Sequence, residues 1–210
     1  MSDLLPIFPL PGVVLFPGVF LPLHIFEPRY REMVADALTT DRLIGMTLLR
    51  DGWQEDYEGR PPVFGVGCSG LITHCEKLPD GRYNIVLRGL DRFRIVSEDH
   101  SRTYRRARIQ PAPERDLTRA DREELRVRRT RIETLIAPSE QGGGIDPRAA
   151  ASMSDDDLVN ALAQYLDLEA IERQALLEQP AVPERARALI ELLEMKTLRT
   201  RLPLNRPLAN

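Results

Sequence analysis

A change of hydrophobic period at Pro111-Ala112-Pro113 constrains this chain more than any other feature. Before it, short apolar runs are cut by proline and glycine at 7–10, 13–15, 21–25, 43–49, 63–74, 83–88 and 104–110. Such runs predict strands. Asp80-Gly81 is a tight-turn signal and predicts a hairpin leading into 83–88, where Tyr83, Ile85 and Leu87 share a face. Phe93 and Ile95 follow in phase beyond Gly89. Gly65, Gly67 and Gly70 inside one strand predict bulges or sharp bends, as in a small closed barrel. One helix interrupts the strands. Over 27–38, Tyr30, Met33, Val34, Ala37 and Leu38 fall on one helical face, with Pro28 in the first turn.

After Pro113 the spacing is helical. The stretch 117–136 predicts a helix about 30 Å long at 1.5 Å per residue, with a thin apolar stripe of Leu125, Ile132, Leu135 and Ile136. Gly142-Gly143-Gly144 marks 138–152 as a mobile loop. Ser154 is a good N-cap, followed by three aspartates in the first turn and by Leu158, Val159, Leu162, Tyr165 and Leu166 on one face. Further helices are predicted at 168–179 and 183–200. The fold class is α+β: a β domain with one helix over 1–113, then a helical bundle over 114–210.

Composition excludes several classes. Hydrophobic residues are 42% and charged residues 29%, so a core can form without metal or disulfide staples. A net charge of -3 argues against a chain that coats nucleic acid or anionic membrane. No run approaches the roughly 18 apolar residues of a membrane span. The start, Met1 to Pro6, lacks a basic segment and a cleavage site. A cytoplasmic location is the expectation. Cys68 and Cys75, on one extended strand, would lie about 23 Å apart at roughly 3.3 Å per residue, too far for a disulfide. Both read as reduced thiols.

The chemical motifs fail on context. The two lysines, Lys77 and Lys196, follow Glu76 and Met195, so no phosphate-binding loop of the G-x-x-x-x-G-K-[ST] type exists. Gly65-Val66-Gly67-Cys68-Ser69-Gly70 matches the dinucleotide fingerprint, but strand-like Leu71-Ile72-Thr73 follows where a helix N-terminus is needed. Cys68, His74, Cys75, His24 and His100 lack paired metal-ligand spacing. No Gly-x-Ser-x-Gly elbow is present. Arg102, Arg105, Arg106 and Arg108, then Arg126, Arg128, Arg129 and Arg131, interleave with acidic residues and read as an ion-paired, solvated face. The expectation is a chain with no catalytic centre, no cofactor and no metal.

Several blocks carry a resemblance. They are Leu5-Pro6-Ile7-Phe8-Pro9-Leu10, Val13 to Gly18, and Leu21-Pro22-Leu23-His24-Ile25-Phe26-Glu27-Pro28-Arg29-Tyr30. Arg42 to Met46, Val66 to Ile72, Asp80 to Ile85 and Gly89 to Ile95 follow in order, then Tyr165 to Leu168, Gln174 to Glu178 and Leu189 to Leu193. Together they resemble the N-terminal domain of the Lon proteases across nearly the whole chain. The resemblance implies a PUA-like β pseudo-barrel packed on helices, and recognition of unfolded or tagged polypeptide. It implies a stand-alone member without the ATPase and Ser–Lys peptidase modules, and a protease or chaperone as partner for any proteolytic role.

For such a ligand, Trp53 and Tyr57 in the polar 51–62 loop are the candidate anchors. Arg29 and Arg31, placed on the exposed side of the first helix, are candidates for steering acidic segments. Fold analogy to PUA-like domains leaves RNA binding as the alternative, although Tyr104 alone offers a stacking ring near the arginine cluster.

Overall fold

The computed structural model describes residues 4–57, 59–136 and 147–201. The β half comprises β1 (Leu5–Leu10), β2 (Phe20–Ile25), helix α1 (Pro28–Leu38), β3 (Leu43–Leu48), a single 3-10 turn (Trp53–Asp56), β4 (Val66–Lys77), β5 (Tyr83–Asp99) and β6 (Arg106–Pro111). The helical half comprises α2 (Arg119–Ile136), α3 (Pro147–Ser152), α4 (Asp155–Tyr165), α5 (Ala170–Leu177) and α6 (Val182–Arg201).

The strands form one mixed sheet in the order β2-β5-β4-β3-β1-β6, and β6 also pairs with β5. The sheet thus curls on itself through one long strand. The 17 residues of β5 serve β2 at their start, from Ile25↔Tyr83 to Phe20↔Arg88, and β6 at their end, from Phe93↔Pro111 to Asp99↔Arg106. The α+β class and the pseudo-barrel are as expected, with the two runs 83–88 and 93–95 merged into a single strand. The one parallel pair, β1 with β3, is bridged by a crossover that includes α1.

A strand can turn through this arc only if its ladder is interrupted. Register shifts occur in the β4–β5 pair between Cys68 and Gly70 and between Ile72 and His74, and in the β5–β6 pair between Ile95 and Ser97. At Gly67 a Cβ would lie 2.4 Å from the Met46 carbonyl oxygen and 2.7 Å from the Phe93 ring. The glycine therefore lets β3 and the Phe93 ring close on β4. The G-x-G-x-x-G run is a bend at Gly65 followed by strand from Val66.

The stretch 13–15 differs from expectation. It is irregular, although Val14, Leu15 and Phe16 are buried. Gly12 and Gly18 both take φ of +77°, and Gly18 N–H donates to the Gly89 carbonyl at 2.9 Å. These turns hold the segment across the sheet instead of along it. The loop predicted at 138–152 lies largely outside the described residues, and its last six form α3.

Ser154 caps α4 as predicted, its Oγ accepting the Asp157 N–H at 3.1 Å. Glu169 and Glu172 form a capping box on α5. The main hydrophobic cluster draws on both halves, from Phe16, Met33, Met46 and Leu87 to Leu125, Leu158, Leu162 and Leu189. A smaller cluster of Leu5, Ile7, Phe93 and Ala107 fills the other end of the curled sheet. Polar bonds tie the halves as well. Gln174 Nε2 donates to the Val66 carbonyl at 3.0 Å, Asn160 Nδ2 to Pro17 at 3.1 Å and Tyr165 Oη to Phe20 at 2.6 Å. Among the described residues no helix is long and apolar enough to cross a membrane.

Candidate functional site

The polar segment after β3 folds back over the start of α1. Gly52, at φ +83°, turns the chain into the 3-10 turn, and a lone bridge pairs Leu49 with Val63. Arg50 N–H donates to the Pro62 carbonyl at 2.9 Å, which pins the base of the loop. Within the turn the Trp53 and Tyr57 rings meet edge-on, with centroids 5.3 Å apart.

Tyr57 is tied to α1. Its hydroxyl donates to Glu27 Oε1 at 2.5 Å, and its carbonyl accepts from both Arg29 Nη atoms at 3.3 Å. Arg29 Nε donates to Glu27 Oε2 at 3.0 Å. The Arg29 guanidinium also lies 4.8 Å from the Tyr30 ring centroid and 5.0 Å from that of Tyr57, so two ring faces hold it. Burial works to lower the Arg29 pKa, but Tyr30 and Glu27 outweigh it and the net shift is upward. Burial, then the bond to Glu27, raises the Tyr57 phenol. Tyr30 is also raised, chiefly by burial, and Tyr104 is pushed up to about 12 by burial and by its 2.8 Å bond to Asp36. All three phenols are neutral at pH 7, and those of Tyr57 and Tyr104 donate hydrogen bonds to Glu27 and Asp36.

Beneath this roof lies a cavity of about 190 Å³. Arg29, Tyr30, Tyr57, Arg60, Tyr104 and Arg105 line it, over an apolar floor of Pro9 and Leu49. Its described lining holds no Asp or Glu. Arg105 is buried, with Nε and Nη2 on Glu98 at 2.8 and 2.5 Å and Nη1 on the Pro61 carbonyl at 2.7 Å. Arg60 donates to the Asp99 and Arg102 carbonyls at 3.4 and 3.3 Å.

The fold thus brings Trp53, Tyr57 and Arg29 into one cluster and leaves Arg31 outside it. Arg31 lines a shallower depression with Lys77, Gly81 and Tyr83. Arg29 and Arg31 are half-buried, not fully exposed, and Arg29 is so because the loop roofs the start of α1. Sequence reasoning missed Arg60, Tyr104 and Arg105. Arg105 belonged to a run read as an ion-paired, solvated face; it is ion-paired, with Glu98, but buried, and only the pairing of β5 with β6 sets the two together. The ion-paired reading does hold for Arg106 with Asp99 and for Arg128, Arg129 and Arg131 with Glu124, Glu133 and Glu194. Also unforeseen are Phe20 and Phe26, at 49% and 60% exposure, along β2 and at its end. Among the described strands, β2 pairs only with β5.

Comparison with known proteins gives a consistent result. Residues 4–195 match the family described as the ATP-dependent protease La (LON) substrate-binding domain. The chain is 28% identical over 201 residues to Lon protease 2 of Myxococcus xanthus, covering 93% of this chain and 24% of that protein. It is 26% identical over 196 residues to Lon protease of Escherichia coli strain K12, covering 90% and 24%. The chain therefore spans 24% of the length of these two curated relatives. Its fold superposes on the N-terminal domain of Mycobacterium avium complex Lon protease with a TM-score of 0.70 at 16% identity, covering 91% of this chain and 98% of that one. The Lon N-terminal domain protein from Xanthomonas campestris gives a TM-score of 0.57 at 22% identity, covering 95% and 99%.

Proposed function

Because the chain belongs to the Lon substrate-binding domain family, we propose that it is a non-catalytic recognition module for unfolded or tagged polypeptide segments. The module divides into a β unit, 1–113, and a helical unit, 114–210, and it acts in the cytoplasm. A protease or chaperone that takes over what it holds belongs to the same proposal.

One observation carries the reading: Trp53 packs on Tyr57, and Tyr57 and Tyr30 hold the Arg29 guanidinium between them at the mouth of a cavity. Rigid aromatic anchors beside a fixed cation suit an extended chain, because little side-chain entropy is lost on contact. Arg31, on the adjacent depression, supplies longer-range attraction for acidic segments. The ion pairing of the arginine-rich strand and helix counts against the RNA alternative.

Fluorescence anisotropy with a labelled, reduced and carboxymethylated protein tests this against the same protein in its folded form. The unfolded form should bind selectively, and Trp53→Ala should weaken it about tenfold, the equivalent of roughly 1.4 kcal/mol. Equal affinity for folded and unfolded forms would remove the reading. Unchanged binding by Trp53→Ala would remove Trp53 from it.

A further inference from the structure

We infer that the cavity beneath the 51–62 loop is a carboxylate receptor, which takes one carboxylate of a bound polypeptide at its C-terminus or on an acidic side chain. This rests on the polypeptide reading above and names what one part of the ligand must carry.

Charge is the first argument. Three guanidinium groups line the cavity and no described carboxylate does. Glu27 offsets Arg29 and Glu98 offsets Arg105. Among the described residues Arg60 has no such partner: its bonds there go to two carbonyl oxygens at 3.4 and 3.3 Å, beyond the usual 2.7–3.2 Å range. Asp56 accepts the backbone N–H of Arg60 at 3.3 Å and makes no ion pair with its guanidinium. Among the described residues one positive charge is thus left unbalanced, which suits a singly charged carboxylate better than a phosphate dianion.

Shape and donors agree. A cavity of about 190 Å³ holds the volume of about six waters at roughly 30 Å³ each, enough for a carboxylate and a few carbons. The planar guanidinium fork matches a carboxylate in two parallel hydrogen bonds. Pro9 and Leu49 face the carbon stem, and the Arg29 fork is already fixed between two rings.

Three labelled peptides with one apolar sequence distinguish the sources: a free C-terminus, a C-terminal amide, and an amide with a glutamate next to the end. The full chain should bind the free acid or the glutamate peptide about tenfold tighter than the plain amide. The peptide that gains names the source. In Arg60→Gln the three peptides should bind alike, and Arg60→Lys should restore part of the gain. Thermal melts confirm that both variants fold. Equal affinity for all three peptides, or a gain that survives Arg60→Gln, overturns the carboxylate receptor and leaves the polypeptide reading standing. No binding of any peptide overturns both.

Discussion

Arg185, with no exposed surface, places Nη2 2.6 Å from Glu114 Oε1. Arg92 approaches the same oxygen through Nε at 3.6 Å. The three residues join the helical half to the sheet: Arg92 sits on β5, Glu114 just after β6 and Arg185 on α6. Arg185 also donates to the Leu176 carbonyl at 3.0 Å and to Asn160 Oδ1 at 2.6 Å. Arg92 binds the Leu177, Gln179 and Pro180 carbonyls at the end of α5. Burial lowers the Arg92 pKa, the mark of a charge held away from water.

Removing Glu114 leaves two guanidinium groups facing each other with no counter-charge. Loss of one partner from a buried pair typically costs about 3–5 kcal/mol. Glu114 is partly exposed, so Glu114→Ala should cost about 2–3 kcal/mol after that discount. The urea midpoint should fall with an unchanged slope. The Glu114→Ala and Arg185→Met double variant should be less unstable than the sum of the single ones, since each removes the other's orphan. Strict additivity would mean that the pair does not couple.

Cys68 gives a pH prediction. It is buried inside β4, and burial pushes its thiol up to about 12 from an ordinary value of 9.0. The folded state therefore keeps its proton where the unfolded chain loses it. Stability is intact below pH 9 and falls between pH 9 and 12, by about 1.4 kcal/mol per pH unit at its steepest. Cys68→Ala should flatten this fall in thermal melts from pH 8 to 11. At pH 8 a maleimide should label half-buried Cys75 and spare Cys68 until urea is added.

Much of this fold is legible in the chain because local chemistry decides it. Ser154, followed by three aspartates, specifies a helix start whatever it packs against, and α1 begins at Pro28 for the same kind of reason. The glycines at 65, 67 and 70 announce a bent strand. What sequence does not carry is long-range pairing. Arg92 and Arg185 look like any other arginines until β5, α5 and α6 meet around them. Trp53, Tyr57 and Arg29 could be named from residue type, but Tyr104 and Arg105 join them only through the closure of β6 on β5, and Arg60, on the same loop as Tyr57, is aimed by its bonds to the Asp99 and Arg102 carbonyls.

Gly67 tests the bend. A methyl there would press on the backbone oxygen of Met46 and on the Phe93 ring, and neither is the free end of a flexible chain. Overpacking of this kind costs about 1–3 kcal/mol. Gly67→Ala should lower the melting temperature, whereas Gly65→Ala, whose Cβ would meet nothing within 4 Å, should change it little. Equal effects at both positions would argue against a close approach at Gly67.

Tyr57 separates the two jobs of its side chain. Its hydroxyl bonds Glu27, while its ring packs on Trp53 and faces Arg29. Tyr57→Phe keeps the ring and deletes the bond. A hydrogen bond to a charged group is worth about 1.5–3 kcal/mol, less where water can replace it. Glu27 keeps its contact with Arg29, so a loss of about 1 kcal/mol is expected. The change should appear as faster amide exchange across 51–57 with the core unaffected. Tyr57→Ala should also release the face that holds Arg29 and so weaken peptide binding beyond what Tyr57→Phe does. If the two variants bind peptide equally, the ring makes no contact with the ligand and the Trp53–Tyr57 pair serves only to roof the cavity.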